Sequence, residues 1–168
     1  KSFNIFVFFC LFSINLSAQV DPGFLYDGLT LDKVSQTEIL NKIEPGEVVV
    51  LSEYHGHAIH HKNQINFLKG LRDKGFNVSV GMEHFYYQKQ EGLDKYLEGN
   101  IIEKFFLELM SWGSLSFDFY RYQVIFPSSA NGTTIALKAP RDLTRRVAQC
   151  GLESLSEKEQ KFLPPNFE

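Results

Sequence analysis

The sequence predicts an α/β fold in which a parallel sheet core is built from βαβ units, with helices on both faces. Two short aliphatic runs, 48–51 and 78–82, flank a segment with helical periodicity, and a third run follows at 133–137. A composition of 43% hydrophobic and 22% charged residues indicates a chain that forms a packed core rather than a disordered one. The net charge of −3 without a basic run argues against nucleic acid as a partner.

The first nineteen residues have the pattern of a secretory signal peptide. Lys1 precedes an apolar run over 5–12, and the small residues Ser17 and Ala18 follow. The apolar run is shorter than the roughly 20 residues that a membrane-spanning helix needs. We therefore expect residues 1–19 to be a signal peptide and residues 20–168 to form one exported domain, in the periplasm or associated with the outer membrane.

The two cysteines bear on anchoring and stability. Cys10 is an alternative site for lipid attachment, although Phe8 and Phe9 precede it where a lipidation signal has small residues, so membrane association is expected only if the chain is lipidated. Without the signal peptide only Cys150 remains, which excludes an intramolecular disulfide, and we expect it to be buried. Because the chain does not start with Met and its last residues do not resemble a terminus, we expect its C-terminal part to be missing.

The first half of the chain predicts two helices and two strands in alternation, at 31–43, 48–51, 57–74 and 78–82. The aliphatic run 48–51 lies between turn signals, as in a strand that is buried on both faces. In the second helix, Ile65, Leu68 and Leu71 share one face, and Gly75 ends the helix. A strand, a helix and a second strand of this length make a βαβ unit with parallel strands.

The second half continues the alternation. We expect a helical region over 88–110, interrupted at Gly99 and Asn100, and a further helix over 119–126. A third strand follows at 133–137. The helix over 142–150 is closed by Gly151, and a last helix begins at 156 with a capping box formed by Ser156 and Glu159.

Acidic and imidazole side chains follow the first two predicted strands directly. Glu53 and His55 come after 48–51, and Glu83 and His84 come after 78–82. Because the carboxyl ends of parallel strands meet at one rim of a sheet, we expect these four side chains at a common site. Carboxylate and imidazole are ligands for divalent first-row metals, and a carboxylate that ends a buried strand needs a partner or a ligand. These residues are candidate metal ligands and, in an enzyme, candidate catalytic residues.

Other side chains near this rim are candidates for ligand contact or for packing. Tyr54 and Tyr86 flank the same groups. Aromatic side chains in such positions either form the wall of a pocket for a flat ligand or pack against the protein. A tyrosinate is also an axial ligand of ferric haem. Arg141 follows the third strand and is a candidate anchor for a ligand carboxylate or a salt partner of a glutamate. On the helix predicted over 57–74, one face carries His57, His60, His61 and Gln64, so some of these side chains are within reach of the rim. His60 and His61, each taken singly, are instead expected on a solvated helix face.

Four motifs of this chain resemble those of the ChaN-like haem-binding proteins, which share a superfamily with the Tiki metalloproteases and the erythromycin esterases. The motifs are VVVLSEYH at 48–55, the pair His60-His61 with Gln64, VGMEHF at 80–85 and ALKAPR at 136–141, and the resemblance covers about residues 45–168. The resemblance implies an α/β fold and an exported, iron-regulated protein that binds haem, with a homodimer enclosing stacked haems as one arrangement.

The resemblance also transfers individual positions. It marks Glu53, His55, Glu83 and Arg141 as matching, while Ser52 stands where the family usually has glycine. The haem ligand of the family is a tyrosine, for which Tyr54 and Tyr86 are the candidates here.

Two functional hypotheses therefore remain. A structural salt-bridge network at the rim is the non-functional alternative. The first is binding of haem or another iron porphyrin in uptake, in a pocket at the strand rim. The second is a metal-dependent hydrolase, in which Glu53, His55 and Glu83 hold a divalent ion or activate water, and His84 or Arg141 stabilises an oxyanion.

Overall fold

The structure is a computed structural model that describes residues 25–161 and residue 163, so the predicted signal peptide lies outside the described residues. The chain divides into two units, with the boundary after Ser35. In the first unit, strands β1 (Leu25–Tyr26) and β2 (Lys33–Val34) pair antiparallel. The Asp27 carboxylate closes the turn between them by accepting hydrogen bonds from the backbone amides of Leu29 and Thr30.

The described part of the second unit contains seven helices and two strands. In chain order these are α1 (Gln36–Lys42), α2 (Ala58–Asp73), β3 (Val80–Tyr86), α3 (Gln90–Leu97), α4 (Glu103–Met110), α5 (Arg121–Ile125), β4 (Thr134–Lys138), α6 (Arg141–Cys150) and α7 (Glu157–Gln160). Strands β3 and β4 pair in parallel, and α3, α4 and α5 lie in the connection between them. The predicted mixed α/β class is therefore confirmed, with one parallel strand pair among the described residues.

Residues 48–51 do not form the strand that the sequence predicts. Their backbone belongs to no strand in the described part of the chain, and Val48 exposes 90% of its surface. The parallel partner of β3 is β4 instead, and the amide of Val80 donates to the carbonyl of Thr133. The predictions of a buried strand at 48–51 and of a βαβ unit over 48–82 are wrong, because an aliphatic run becomes a strand only where a partner backbone is available.

Most helices occur where the periodicity places them. Helix α2 confirms the helix predicted over 57–74, and Gly75 ends it with a φ of +85°, a left-handed conformation that glycine adopts without a steric penalty. The capping box is also confirmed, with the Ser156 and Glu159 side chains each bonded to the other residue's backbone amide. The first predicted helix is shorter than expected, since α1 begins only at Gln36.

The parallel pair is irregular near its end. Met82 pairs with Ala136 and Tyr86 pairs with Lys138, so three residues of β3 lie opposite the single residue Leu137. Met82 and Phe85 are both buried in the core, although they are three positions apart. A bulge of this kind shifts the alternation of side chains between the two faces of the strand.

Two clusters of buried side chains hold the second unit together. The larger cluster joins β3 and β4 to the helical connection and contains Met82, Phe85, Leu93, Phe106, Met110, Phe117, Tyr120, Val124 and Ala136. The smaller cluster contains Leu68, Val78, Phe126 and Ala130, and so packs α2 against the segment that precedes β4. Cys150 is exposed, so its predicted burial is wrong: α6 has no buried residue. No helix among the described residues has the length and apolar composition needed to cross a membrane.

Candidate functional site

A pocket of about 350 Å³ lies at the carboxyl ends of β3 and β4, and it is lined by His55, Glu83, His84, Leu137 and Lys138. Its volume lies within the range of about 300–1,000 Å³ that is typical of small-molecule sites. Adjacent residues of a regular strand point to opposite faces, yet Glu83 and His84 both line this pocket. The bulge in β3 accounts for this arrangement, since it reorients side chains at this point of the strand.

Glu53 lies beside the pocket, and its side chain is only 8% exposed. Oε1 accepts a hydrogen bond from the Tyr120 hydroxyl at 3.0 Å and lies 2.5 Å from Nδ1 of His55. Oε2 lies 3.1 Å from Nε2 of His61. The carboxylate is thus surrounded by three side chains from two separate parts of the chain.

These contacts keep the Glu53 carboxyl group ionised. Burial alone would raise its pKa, but the hydrogen bonds with His55 and Tyr120, together with the electrostatic interactions with the His61 and His55 rings when these are protonated, outweigh burial and lower the pKa below its ordinary value. For Tyr120, burial and then the hydrogen bond to Glu53 raise the pKa to about 12, so the hydroxyl keeps its proton and remains a donor at neutral pH.

His61 is buried, with 3% of its surface exposed, so the predicted solvated position of this histidine is wrong. Its ring packs against Phe119 and Tyr120, with centroid distances of 5.1 and 4.7 Å. Burial lowers the pKa of His61 although the charge of Glu53 opposes this effect, so the ring is neutral at neutral pH. Nδ1 lies 3.3 Å from the side-chain nitrogen of Gln123. When Nδ1 accepts from this amide, the ring proton lies on Nε2, the atom that faces Glu53.

Side chains of α2 hold the loop that carries Glu53, in place of the predicted sheet. Nδ1 of His60 accepts a hydrogen bond from the backbone amide of Tyr54 at 2.9 Å. The Gln64 side-chain amide donates to the carbonyl of Leu51 at 3.1 Å. The two bonds flank Glu53 in sequence, and they bring the loop to the site without strand pairing.

His84 lies between aromatic rings at the inner end of the pocket. Its ring centroid is 4.6 Å from that of Tyr120, 5.4 Å from that of Trp112 and 5.1 Å from that of His55. Burial is the main cause of its lowered pKa, and it prevails over the opposing charge of Glu83. The ring is therefore neutral at neutral pH, which is the form of imidazole that binds metal ions.

Glu53, His55 and His84 form a group that is suited to a metal ion. Each offers one ligand atom, and these atoms lie within 4.8 Å of one another. Nε2 of His84, Oε2 of Glu53 and Nε2 of His61 are buried and lack a hydrogen-bond partner, because the contact between the last two does not have hydrogen-bond geometry. A buried polar atom without a partner costs about 1–3 kcal/mol, which a bound ion or ligand would recover. Two imidazoles and one carboxylate are ligands that zinc and non-haem iron sites share.

The remaining predicted site residues lie at different distances from this group. Tyr54 is adjacent in sequence but is 78% exposed. Tyr86 is half-buried at the end of β3, where the ammonium groups of Lys89 and Lys138 lie 5.8 and 5.4 Å from the centroid of its ring. Arg141 is exposed at the first position of α6 and does not line the pocket.

Several residues of the site have no signal in the local sequence pattern. Trp112, Tyr120 and Gln123 come from the connection between β3 and β4, and they reach the site only through tertiary packing. A weak signal exists for Gln64, since it shares a helix face with His57, His60 and His61. The sequence predicts that some residues of this face reach the rim, and the structure shows that His60, His61 and Gln64 contact the Glu53 loop.

Comparison with known proteins identifies one protein-family match. A family model described as "Haem-binding uptake, Tiki superfamily, ChaN" matches residues 39–168, which include the whole pocket. No curated protein and no solved structure matches the chain.

Proposed function

The chain belongs to the ChaN family of haem-binding uptake proteins in the Tiki superfamily, and we propose that it binds haem or another iron porphyrin in the pocket at the ends of β3 and β4. The proposed role is in haem or iron uptake by an exported protein. The signal-peptide pattern of residues 1–19 supports export. Formation of a homodimer and association with a membrane remain predictions.

The observation that carries this proposal is the buried Nε2 of His84, which has no hydrogen-bond partner beside a pocket that also contains His55. Imidazole is one of the axial ligands that proteins offer to haem iron, and the chemistry that haem supplies when bound is that of its iron. Because burial keeps His84 neutral, one of its ring nitrogens keeps the lone pair that coordination requires. The donor set therefore fits an iron porphyrin.

Tyr86 is the second candidate for the axial position. It lies at the same strand end and is half-buried, whereas Tyr54 is mostly exposed. A tyrosinate is an established axial ligand of ferric haem. Neither tyrosine lines the pocket itself, and of the two Tyr86 is favoured because it lies at the strand end beside the lining residue Lys138.

Titration of the purified protein with hemin tests the proposal. We expect a shifted Soret band that saturates at one or two hemin molecules per chain. His84→Gln should weaken binding or change the spectrum, whereas His57→Gln, an exposed histidine that does not line the pocket, should leave both unchanged. Tyr86→Phe and Tyr54→Phe identify a tyrosine ligand through loss of its spectral signature. If wild-type protein shows no saturable hemin binding, the proposal is wrong.

A metal-dependent hydrolase is a second candidate function, and the group of Glu53, His55 and His84 favours it. In this case the three residues would hold a divalent ion, which supplies Lewis acidity and an acidified water when bound. Glu83 also lines the pocket and is the carboxylate placed to accept a proton there. Arg141 does not line the pocket, and His84 is one of the three ligands in this arrangement, so the bound ion itself would stabilise an oxyanion.

Elemental analysis of protein purified without added metal separates the two functions. Stoichiometric zinc or manganese that disappears in the double variant Glu53→Ala, His55→Ala, together with absence of hemin binding, would support the hydrolase and exclude haem binding. Saturable hemin binding without a resident divalent ion would support the uptake function.

A further inference from the structure

Lys138 is the one cationic side chain among the residues that line the pocket. It is the last residue of β4, it is exposed, and it lies opposite Tyr86 in the register of the parallel pair. Its ammonium group lies 5.4 Å from the centroid of the Tyr86 ring. His84 lines the same pocket, and the charge of Lys138 adds to burial, the main cause, in lowering the pKa of His84. Lys138 is therefore a neighbour of the metal-binding group.

Lys138 forms no ion pair with a carboxylate among the residues that the structure describes, although Glu83 lines the same pocket. Lys89, on the other side of the Tyr86 ring, differs in this respect, because its ammonium group donates to the carbonyl of Leu109 and to the hydroxyl of Ser111. Lys138 thus lines the pocket and has no such acceptor for its ammonium group among the described residues, where its contact is with the Tyr86 ring.

We propose that Lys138, whose ammonium group lies against the ring of Tyr86, determines ligand specificity by binding a carboxylate of the bound molecule. The proposal rests on the proposed function, since it assigns the carboxylate to an acidic side chain of an iron porphyrin. The pocket combines donors that bind a metal, His55 and His84, with an ammonium group that binds an anion. A ligand that satisfies both carries a metal centre and an acidic group on one molecule, as hemin does. Glu83 adds a negative charge to the same wall, so a ligand carboxylate is favoured only within reach of Lys138.

The test compares hemin with hemin dimethyl ester, in which both carboxylates are esterified, under the same buffer and detergent. In wild-type protein we expect hemin to bind more tightly than the ester. Lys138→Gln should weaken hemin binding about five-fold, in line with the loss of one partly solvated ion pair. It should leave ester binding unchanged, and Lys138→Arg should restore hemin binding. The difference between wild type and Lys138→Gln should shrink at high salt.

Lys62→Gln is the matched control, because Lys62 is an exposed lysine on α2 that does not line the pocket. Thermal unfolding of each variant verifies that it is folded. Equal hemin affinity of wild type and Lys138→Gln would overturn the role of Lys138 and leave haem binding intact. An equal loss of hemin and ester affinity would also overturn it, since Lys138 would then act through packing. Absence of hemin binding to the wild type would overturn the proposed function itself and this inference with it.

Discussion

Replacing Tyr120 by Phe tests whether the Glu53 network stabilises the fold. The hydroxyl of Tyr120 donates to Oε1 of Glu53 at 3.0 Å, and both side chains are more than nine-tenths buried. A hydrogen bond to a charged group contributes about 1.5–3 kcal/mol, and the truncation leaves a buried carboxylate oxygen with one donor fewer. At pH 8 Glu53 is ionised and Tyr120, whose pKa is raised to about 12, is neutral. We therefore expect Tyr120→Phe to lower the free energy of unfolding by about 2 kcal/mol.

Urea unfolding of the metal-free protein at pH 8, followed by circular dichroism, measures this change. For a domain of this size the same loss should lower the melting temperature by about 6 °C. Tyr122→Phe is the control, because it removes a hydroxyl that makes no hydrogen bond among the described residues, while its ring packs on Phe126. We expect the control to change stability by less than about 0.5 kcal/mol. A similar small change in Tyr120→Phe would show that the contact with Glu53 contributes little.

Three further perturbations follow from the same structure. The free energy of unfolding of the metal-free protein should fall as the pH drops below about 6.5. The reason is that burial lowers the folded-state pKa of His61 and His84, so the unfolded chain binds more protons in this pH range. Urea midpoints at pH 7.5 and 5.5 measure the loss, and equal midpoints would contradict it. Gly132→Ala should cost about 3 kcal/mol, because an added Cβ would overlap the carbonyl of Val78, whereas Gly113→Ala has open space and should be nearly neutral; thermal melts of the two variants compare them. If the site holds a divalent ion, zinc at 100 times its dissociation constant should stabilise the wild type by about 2.7 kcal/mol and His84→Gln much less; equal stabilisation of both would place the zinc elsewhere.

The elements that the sequence predicts correctly are those specified by neighbouring residues. Helix α2 has an apolar face and a terminal glycine within its own segment, and the capping box at Ser156 and Glu159 needs only four residues. Residues 48–51 have an equally clear aliphatic pattern, but a strand requires a second backbone that the pattern does not contain. The wrongly predicted strand therefore shows that the local sequence pattern does not specify which segments pair as strands.

The site shows the same division between local and tertiary information. The sequence alone places Glu53, His55 and His84 near one another by assuming two paired strands, and the three do lie together. They are brought there by other means, since bonds from α2 hold the Glu53 loop. The sequence pattern does not reveal the burial of His61, because helical spacing shows which residues share a face but not which face packs inward. Tyr120 could not be identified at all, because it lies 67 positions from its partner Glu53.

The adjacent residues Glu83 and His84 lie where the register of β3 is irregular. In a regular strand one of them would point away from the pocket, and the buried pair Met82 and Phe85 would lie on opposite faces. The register resolves both conflicts at once, because three residues of β3 lie opposite Leu137 alone. The bulge therefore lets consecutive polar residues line one pocket while apolar residues on either side stay in the core. A polar pair flanked by two core residues three positions apart is, by this reasoning, a sequence pattern that predicts a bulge at a functional strand end.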